Sequence, residues 1–224
     1  MNVYYKIELV LNLLKYYIRD KFTKHEDKYI LFLKEYFKNR PKGFYIDVGC
    51  YHPIRLSNTK FLYNKGWSGI NIDISEKSID LFKIARKKDI NLNIGISDKN
   101  GMSEAYFKKN LFHANTLAYE HSETFLNKSR KKKIKVKTLS SVINEYANNK
   151  KIDLIDIDCE GKDLEVLQGV DLKRYEIDLV SVELHEYSDN TKKKKKLILD
   201  IMKKNNFKKL FTSPDTKTII FKKI

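Results

Sequence analysis

Two apolar runs that each close on an acid, one helix length apart, constrain the fold of this chain more than any other feature. Phe44 to Val48 reads as a buried strand ending in Asp47-Val48-Gly49, and Trp67 to Ile74 reads as a second that closes on Asp73. The segment between them, Ile54 to Lys65, is long enough for a helix. In a βαβ unit the two strands are parallel neighbours, so Gly49 and Asp73 emerge at the same carboxyl edge of the sheet, where doubly wound folds bind ligands. Glycine lets the backbone approach a ligand closely, and a carboxylate at the second strand end can accept hydrogen bonds from both hydroxyls of a ribose. The outline is that of a nucleoside pocket.

From Gly43 onward strand and helix patterns alternate, as in an α/β domain with a mostly parallel sheet. The sequence predicts a helix over Glu76 to Lys87, a strand over Asn91 to Ile96 and a turn at Asp98-Lys99-Asn100-Gly101. Strands near Ala105 to Lys108 and Ile134 to Lys137 flank an irregular insertion with His113, Asn115, Thr116 and His121, of the kind that forms binding loops. A helix over Leu139 to Ala147, a central strand over Ile152 to Ile157, a helix around Leu164 to Gln168 and a strand over Asp178 to Leu184 follow. A lysine-rich helix then runs to about Asn205, and Phe207 to Thr212 and Thr218 to Phe221 form a closing hairpin. Residues 1–42 read as an N-terminal helical extension in two pieces, and 43–224 as the main domain. In the first piece Val3, Ile7, Val10, Leu11, Leu14 and Ile18 recur at helical spacing. Such a helix most often packs on its own domain, covers a cleft or forms a homodimer contact, and its aromatic and basic content also suits a membrane surface.

The 224 residues are 42% hydrophobic and 12% aromatic, which excludes general disorder. A chain of this length buries roughly 70% of its unfolded surface. The formal charge of +16, concentrated at Lys128 to Lys137 and Lys192 to Lys196, would draw polyanions. Lys, Ile and Asn are abundant throughout, however, so the charge points to nucleic acid less than to a general composition bias, or to a peripheral position near anionic lipid or glycan. No apolar run approaches the roughly 20 residues of a membrane span, and Lys6, Glu8, Asn12 and Lys15 interrupt any signal-peptide pattern. Two cysteines, Cys50 and Cys159, make no disulfide framework, and the expected location is cytoplasmic.

A second concentration of chemistry is Ile155-Asp156-Ile157-Asp158-Cys159-Glu160-Gly161. Unpaired carboxylates are costly to bury, so these acids require water, partners or a ligand. The right-handed crossover rule brings Asp158 and Glu160 to the edge that carries Gly49 and Asp73, with Glu183 and His185 beside them at the next strand end.

With both clusters in place the chain resembles the FkbM-type methyltransferases. The matching pieces are Ile46-Asp47-Val48-Gly49, Gly69-Ile70-Asn71-Ile72-Asp73, the Asn93 to Gly101 segment, Thr138-Leu139, and Ile155 to Gly169; the likeness extends roughly from Phe44 to Glu186. It departs at Cys50-Tyr51-His52-Pro53, where the family usually has a small glycine-containing turn, and at Asp156, where many members carry lysine. The resemblance implies a Rossmann-like class I methyltransferase fold, with a mostly parallel seven-stranded sheet and a C-terminal antiparallel hairpin. It also implies S-adenosylmethionine as cofactor and a sugar hydroxyl of a glycan or glycosylated small molecule as acceptor.

On that resemblance Gly49, with Cys50 and Tyr51 in the same turn, admits the methionine part and Asp47 orients it. Asp73 and Ile74 meet the ribose, and Ser97 and Asp98 border the adenine. Asp158, His185 and Glu160 are the candidate bases, with Asp158 also at the cofactor, and His52, Asn58, Asn115 and Thr116 are candidate acceptor contacts. Asp158, Glu160 and Glu183 form an oxygen-ligand set that would suit magnesium, and Cys50, His52, Cys159 and His185 a less standard zinc set. An RNA methyltransferase on the same fold and a non-catalytic basic scaffold are the rival readings.

Overall fold

The computed structural model describes residues 2–22, 27–107, 115, 117, 130–184, 189–214 and 218–224, with the backbone alone for 189–191. The strands are β1 (Phe44–Val48), β2 (Ser68–Asp73), β3 (Ile90–Asn93), β4 (Gly95–Ile96), β5 (Gly101–Phe107), β6 (Arg130–Lys137), β7 (Ile152–Ile157), β8 (Ile177–Glu183), β9 (Phe207–Thr212) and β10 (Thr218–Lys223). The helices are α1 (Val3–Phe22), α2 (Lys28–Tyr36), α3 (Lys60–Asn64), α4 (Glu76–Ala85), α5 (Leu139–Tyr146), α6 (Asp163–Gln168) and α7 (Asp189–Lys204).

Among the described residues the main sheet has seven strands in the order β3-β2-β1-β7-β8-β10-β9. The pairs β3-β2, β2-β1, β1-β7 and β7-β8 are parallel, and β10 runs antiparallel between β8 and β9. The expected closing hairpin is therefore present, with its second strand inserted toward the sheet centre. Strand order reverses between β1 and β7, and that switch point opens a crevice at their carboxyl ends.

Period-two alternation sorts the two faces. Ile46, Val48, Ile70, Ile72, Ile155, Ile157, Val180 and Val182 pack against α5, α6 and α7 in one core cluster. Tyr45, Leu154, Leu179 and Ile220 form the other with Tyr29 and Leu33 of α2, Phe37, Leu62 and Trp67. Thus α2 is built into the domain core. Arg40 fastens the opposite edge of the sheet, its Nη1 lying 2.5 Å from Asp153 and 2.8 Å from Asp178, at the starts of β7 and β8.

Two expectations need correction. The helix expected over Ile54 to Lys65 shortens to α3, because Pro53 has no N–H to give, Leu56 adopts a φ of 51° and the His52 ring captures the amides of Ile54 and Arg55. The strand expected over Asn91 to Ile96 breaks at Ile94: β3 stays in the main sheet, whereas β4 joins β5 and β6 in a second, three-stranded sheet. Helix α1 packs on its own domain through its polar edge, while its apolar stripe faces outward.

Candidate functional site

At the switch point one pocket is lined by Val48 and Gly49 after β1, Ile72 to Ile74 after β2, Ile94 to Ile96, Asn115, Leu117, and Asp158 to Glu160 with Lys162 after β7. Gly49 has a φ of 87°, and a Cβ there would lie 1.8 Å from the Asp158 carbonyl oxygen. The glycine is thus required by the close approach of the chain that follows β7. The amides of Gly49 and Cys50 both donate to the Ile72 carbonyl, and the Asp158 amide donates to that of Val48, so the three strand ends are tied together.

The Asp73 carboxylate accepts from the Tyr51 N–H at 2.8 Å and from the Ser75 N–H at 2.7 Å. Burial pushes its pKa up to about 6, opposed by those two hydrogen bonds. Each oxygen retains a lone pair, which fits two adjacent hydroxyl donors. Ile74, Ile94, Ile96 and Leu117 supply apolar walls for a flat ring. The acids Asp158 and Glu160 suit a cationic centre, while Lys162, which suits a carboxylate, pairs with Glu165 at 2.7 Å. These residues fit S-adenosylmethionine.

Asp158, which lines the same pocket as Asp73, is hydrogen-bonded to Glu183 at the end of β8. Burial, then the neighbouring Glu183 and Glu160, hold Asp158 well above the usual carboxylate range. Burial pushes Glu183 up to about 7, against the pull of its hydrogen bond from Asp158. Two carboxyls in contact cannot both ionise cheaply, so the pair retains one proton near neutrality. Glu160 sits beside them at a φ of 50°, on a loop held by Asp163, which accepts from the amides of Cys159 and Gly161.

Other expected site residues lie elsewhere. Asp47 is buried on the opposite face of the sheet from the pocket-lining Val48, accepting from Thr59 Oγ1 at 2.6 Å; burial and the adjacent Asp156 push it up to about 7. Strand alternation turns it away from the pocket. Cys50 packs against Ile79 and Phe82. Tyr51 contributes its backbone, while its hydroxyl accepts from Arg55 at 2.9 Å. His52 is fully buried, with Nδ1 accepting two amides and Nε2 donating to Asn12 at 2.9 Å, and burial lowers its pKa to about 4. It organises the turn. Asn58 donates to Asp156 at 2.9 Å. Ser97 and Asp98 bond to each other in the turn after β4, beyond the residues that line the pocket.

Ile74, Cys159 and Asn115 do line it. Thr116, His113, His121 and His185 fall outside the described residues. Among the described residues no three His, Cys, Asp or Glu side chains are gathered so as to hold a metal. That arrangement gives no support to the magnesium set of Asp158, Glu160 and Glu183. Nor does it support the zinc set, of which Cys50 and His52 are committed to separate local contacts.

Sequence reasoning missed the polar layer beneath the site. Arg86, 1% exposed, donates to Thr59, Tyr45, Asn71, Ser57 and the Pro53 carbonyl, and Tyr29 donates to Asp156 at 2.6 Å. Asp47 and Asp156 are register partners on β1 and β7 and share that layer. An arginine just past an amphipathic helix carries no local signal that it will be buried. Lys162, Ile94 and Leu117 of the pocket were also missed.

The methyltransferase FkbM domain family matches residues 47–209. The chain is similar in fold to a methyltransferase FkbM from Methylobacillus flagellatus KT, at 11% identity and a TM-score of 0.51, over 96% of this chain and 60% of that one. A protein from Clostridium thermocellum provisionally described as an rRNA-methylase aligns at 11% identity and a TM-score of 0.50, over 90% of this chain and 98% of that one. No curated protein matches the sequence.

Proposed function

The chain belongs to the methyltransferase FkbM family, and from that premise we propose that it uses S-adenosylmethionine to methylate a hydroxyl of a sugar, in a glycan or a glycosylated small molecule. The observation that carries this reading is the Asp158–Glu183 carboxyl pair, one member of which lines the pocket that also holds Asp73. A sugar hydroxyl is a weak nucleophile until its proton is accepted, and a base poised near neutral pH does this best.

The bound cofactor supplies an electrophilic methyl on a sulfonium. Asp73 would hold the ribose diol, the isoleucines would enclose the adenine, and Lys162, which pairs with Glu165 at 2.7 Å, would sit near the methionine carboxylate. The carboxyl pair would take the proton of the acceptor hydroxyl as that oxygen is methylated, and would then hold two. Positioning of this kind is worth about 7–11 kcal/mol, and the base about 10²- to 10⁴-fold.

Methylation of RNA is the second reading, supported by the exposed Lys131, Lys132, Lys133 and Lys135 of β6 and by the rRNA-methylase description of one structural neighbour. Incubation with methyl-labelled cofactor and either cell-envelope glycan or total RNA separates the two. We expect label in the glycan fraction; label in RNA alone overturns the proposed acceptor. Absence of cofactor binding by calorimetry would point instead to a scaffold.

A further inference from the structure

Helix α1 presents an inverted face to its own domain. Its polar side chains point inward: Tyr5 to Asp80 and Glu8 to Lys77 on α4, Asn12 to His52, Tyr16 to Arg55, and Asp20 to Lys60. Leu9 is the one side chain of the helix that is buried. Val3, Ile7, Leu11, Leu14, Ile18 and Phe22 are between 50% and 80% exposed. At 100° per residue these six form one continuous arc, extended by the exposed Tyr4 and Tyr17. Lys6 borders the arc on one side, and Lys15 and Arg19 border it on the other. Scattered surface hydrophobics are ordinary, but a contiguous stripe along a whole helix marks an interaction surface.

We propose that this face of α1 lies on an anionic lipid surface, with the helix axis parallel to the membrane plane. Three observations select that occupant. The arc has the composition of an interfacial helix, with aliphatic and aromatic side chains that reach the acyl boundary and cationic side chains at its margins that reach the headgroups. The charge of +16 complements anionic lipid, whereas a second copy would bring the same charge into contact. A 20-residue helix is about 30 Å long and about 10 Å wide, so pairing two such faces would bury roughly 600 Å², below the roughly 1,200 Å² of a stable interface. Among the described residues no helix is long and apolar enough to cross a membrane, so α1 rests on the bilayer. Its bonds to His52 and Arg55, in the turn that follows Gly49, fix the pocket edge relative to that surface.

The test is co-sedimentation of the full chain with phosphatidylcholine vesicles, with and without phosphatidylserine, compared with an Ile7→Gln/Leu14→Gln/Ile18→Gln variant. These side chains project into water, so the variant retains its fold, which circular dichroism checks. The wild type is expected to bind the anionic vesicles and to be released by high salt, and the variant to bind at least about tenfold more weakly. No wild-type binding overturns the proposal. So does binding that the triple substitution leaves unchanged, which would assign it to lysines elsewhere. A concentration-dependent dimer that the variant abolishes, without vesicle binding, would assign the face to a second copy and overturn the proposal as well.

Discussion

Asp73 accepts the backbone N–H of Tyr51, 22 residues earlier in the chain, at 2.8 Å. The carboxylate expected to meet the ribose therefore also fixes the turn after β1, and its ionisation state controls both. Binding hydroxyl donors favours the charged form, so cofactor affinity falls as pH drops through about 6, where Asp73 protonates. Asp73→Asn is expected to weaken binding by about 1.5–3 kcal/mol, roughly tenfold to a hundredfold, and to flatten that pH dependence. Calorimetry across the range checks it; wild-type affinity that is constant through this window would contradict the assignment.

The Asp158–Glu183 pair has opposite consequences for turnover and for stability. Turnover should rise with pH through about 7 as the pair becomes able to take a proton, and Asp158→Asn should lower kcat by about 10²- to 10⁴-fold, more than it weakens cofactor binding. For folding, Glu183 binds its proton more tightly in the native state than in the unfolded chain. Its contribution is fully present below its ordinary pKa of 4.5 and is lost as pH rises through about 7. Glu183→Gln, which resembles the neutral acid, should raise Tm on the alkaline side of this window and leave it nearly unchanged on the acidic side.

Gly49→Ala tests the close contact between β1 and β7. The added Cβ meets the Asp158 carbonyl and demands a positive φ of an L-residue, a combination that should cost more than about 3 kcal/mol in urea denaturation. Because the yielding atom belongs to the Asp158 backbone, cofactor binding should suffer as well.

Arg86→Met removes a buried guanidinium and leaves buried acceptors without their donor. A loss of about 3–5 kcal/mol is expected, measured by urea denaturation, since the acceptors left behind are buried. Arg86→Lys should recover part of this, because an ammonium retains the charge but not the fork that reaches Thr59 and Ser57 together.

The sequence made the main sheet legible because its strands carry the strongest signals available, apolar runs closed by acids and glycines. Phe44–Val48 and Ile152–Ile157 match their expected bounds, and Gly49, Asp73 and Asp158 line one pocket. The second sheet was hidden, because β5 and β6 pair across a long intervening segment and β4 leaves its neighbour after a single residue. Asp47 was misdirected for a different reason: acid at a strand end was read as facing the ligand, although alternation places it with Tyr45 on the far face. Periodicity found the stripe on α1 but carries no information about which side meets the protein.

The seam between α1 and α4 carries charged and hydrogen-bonding groups, and α1 buries only Leu9 among its apolar side chains. Its cohesion therefore depends in part on the surrounding medium: ions weaken the Glu8–Lys77 pair, and water can replace its partners. Lifting the helix would nonetheless strip the His52 imidazole of Asn12. The turn that presents Tyr51 to Asp73 is thereby braced from behind by a helix that is not among the described residues lining the pocket.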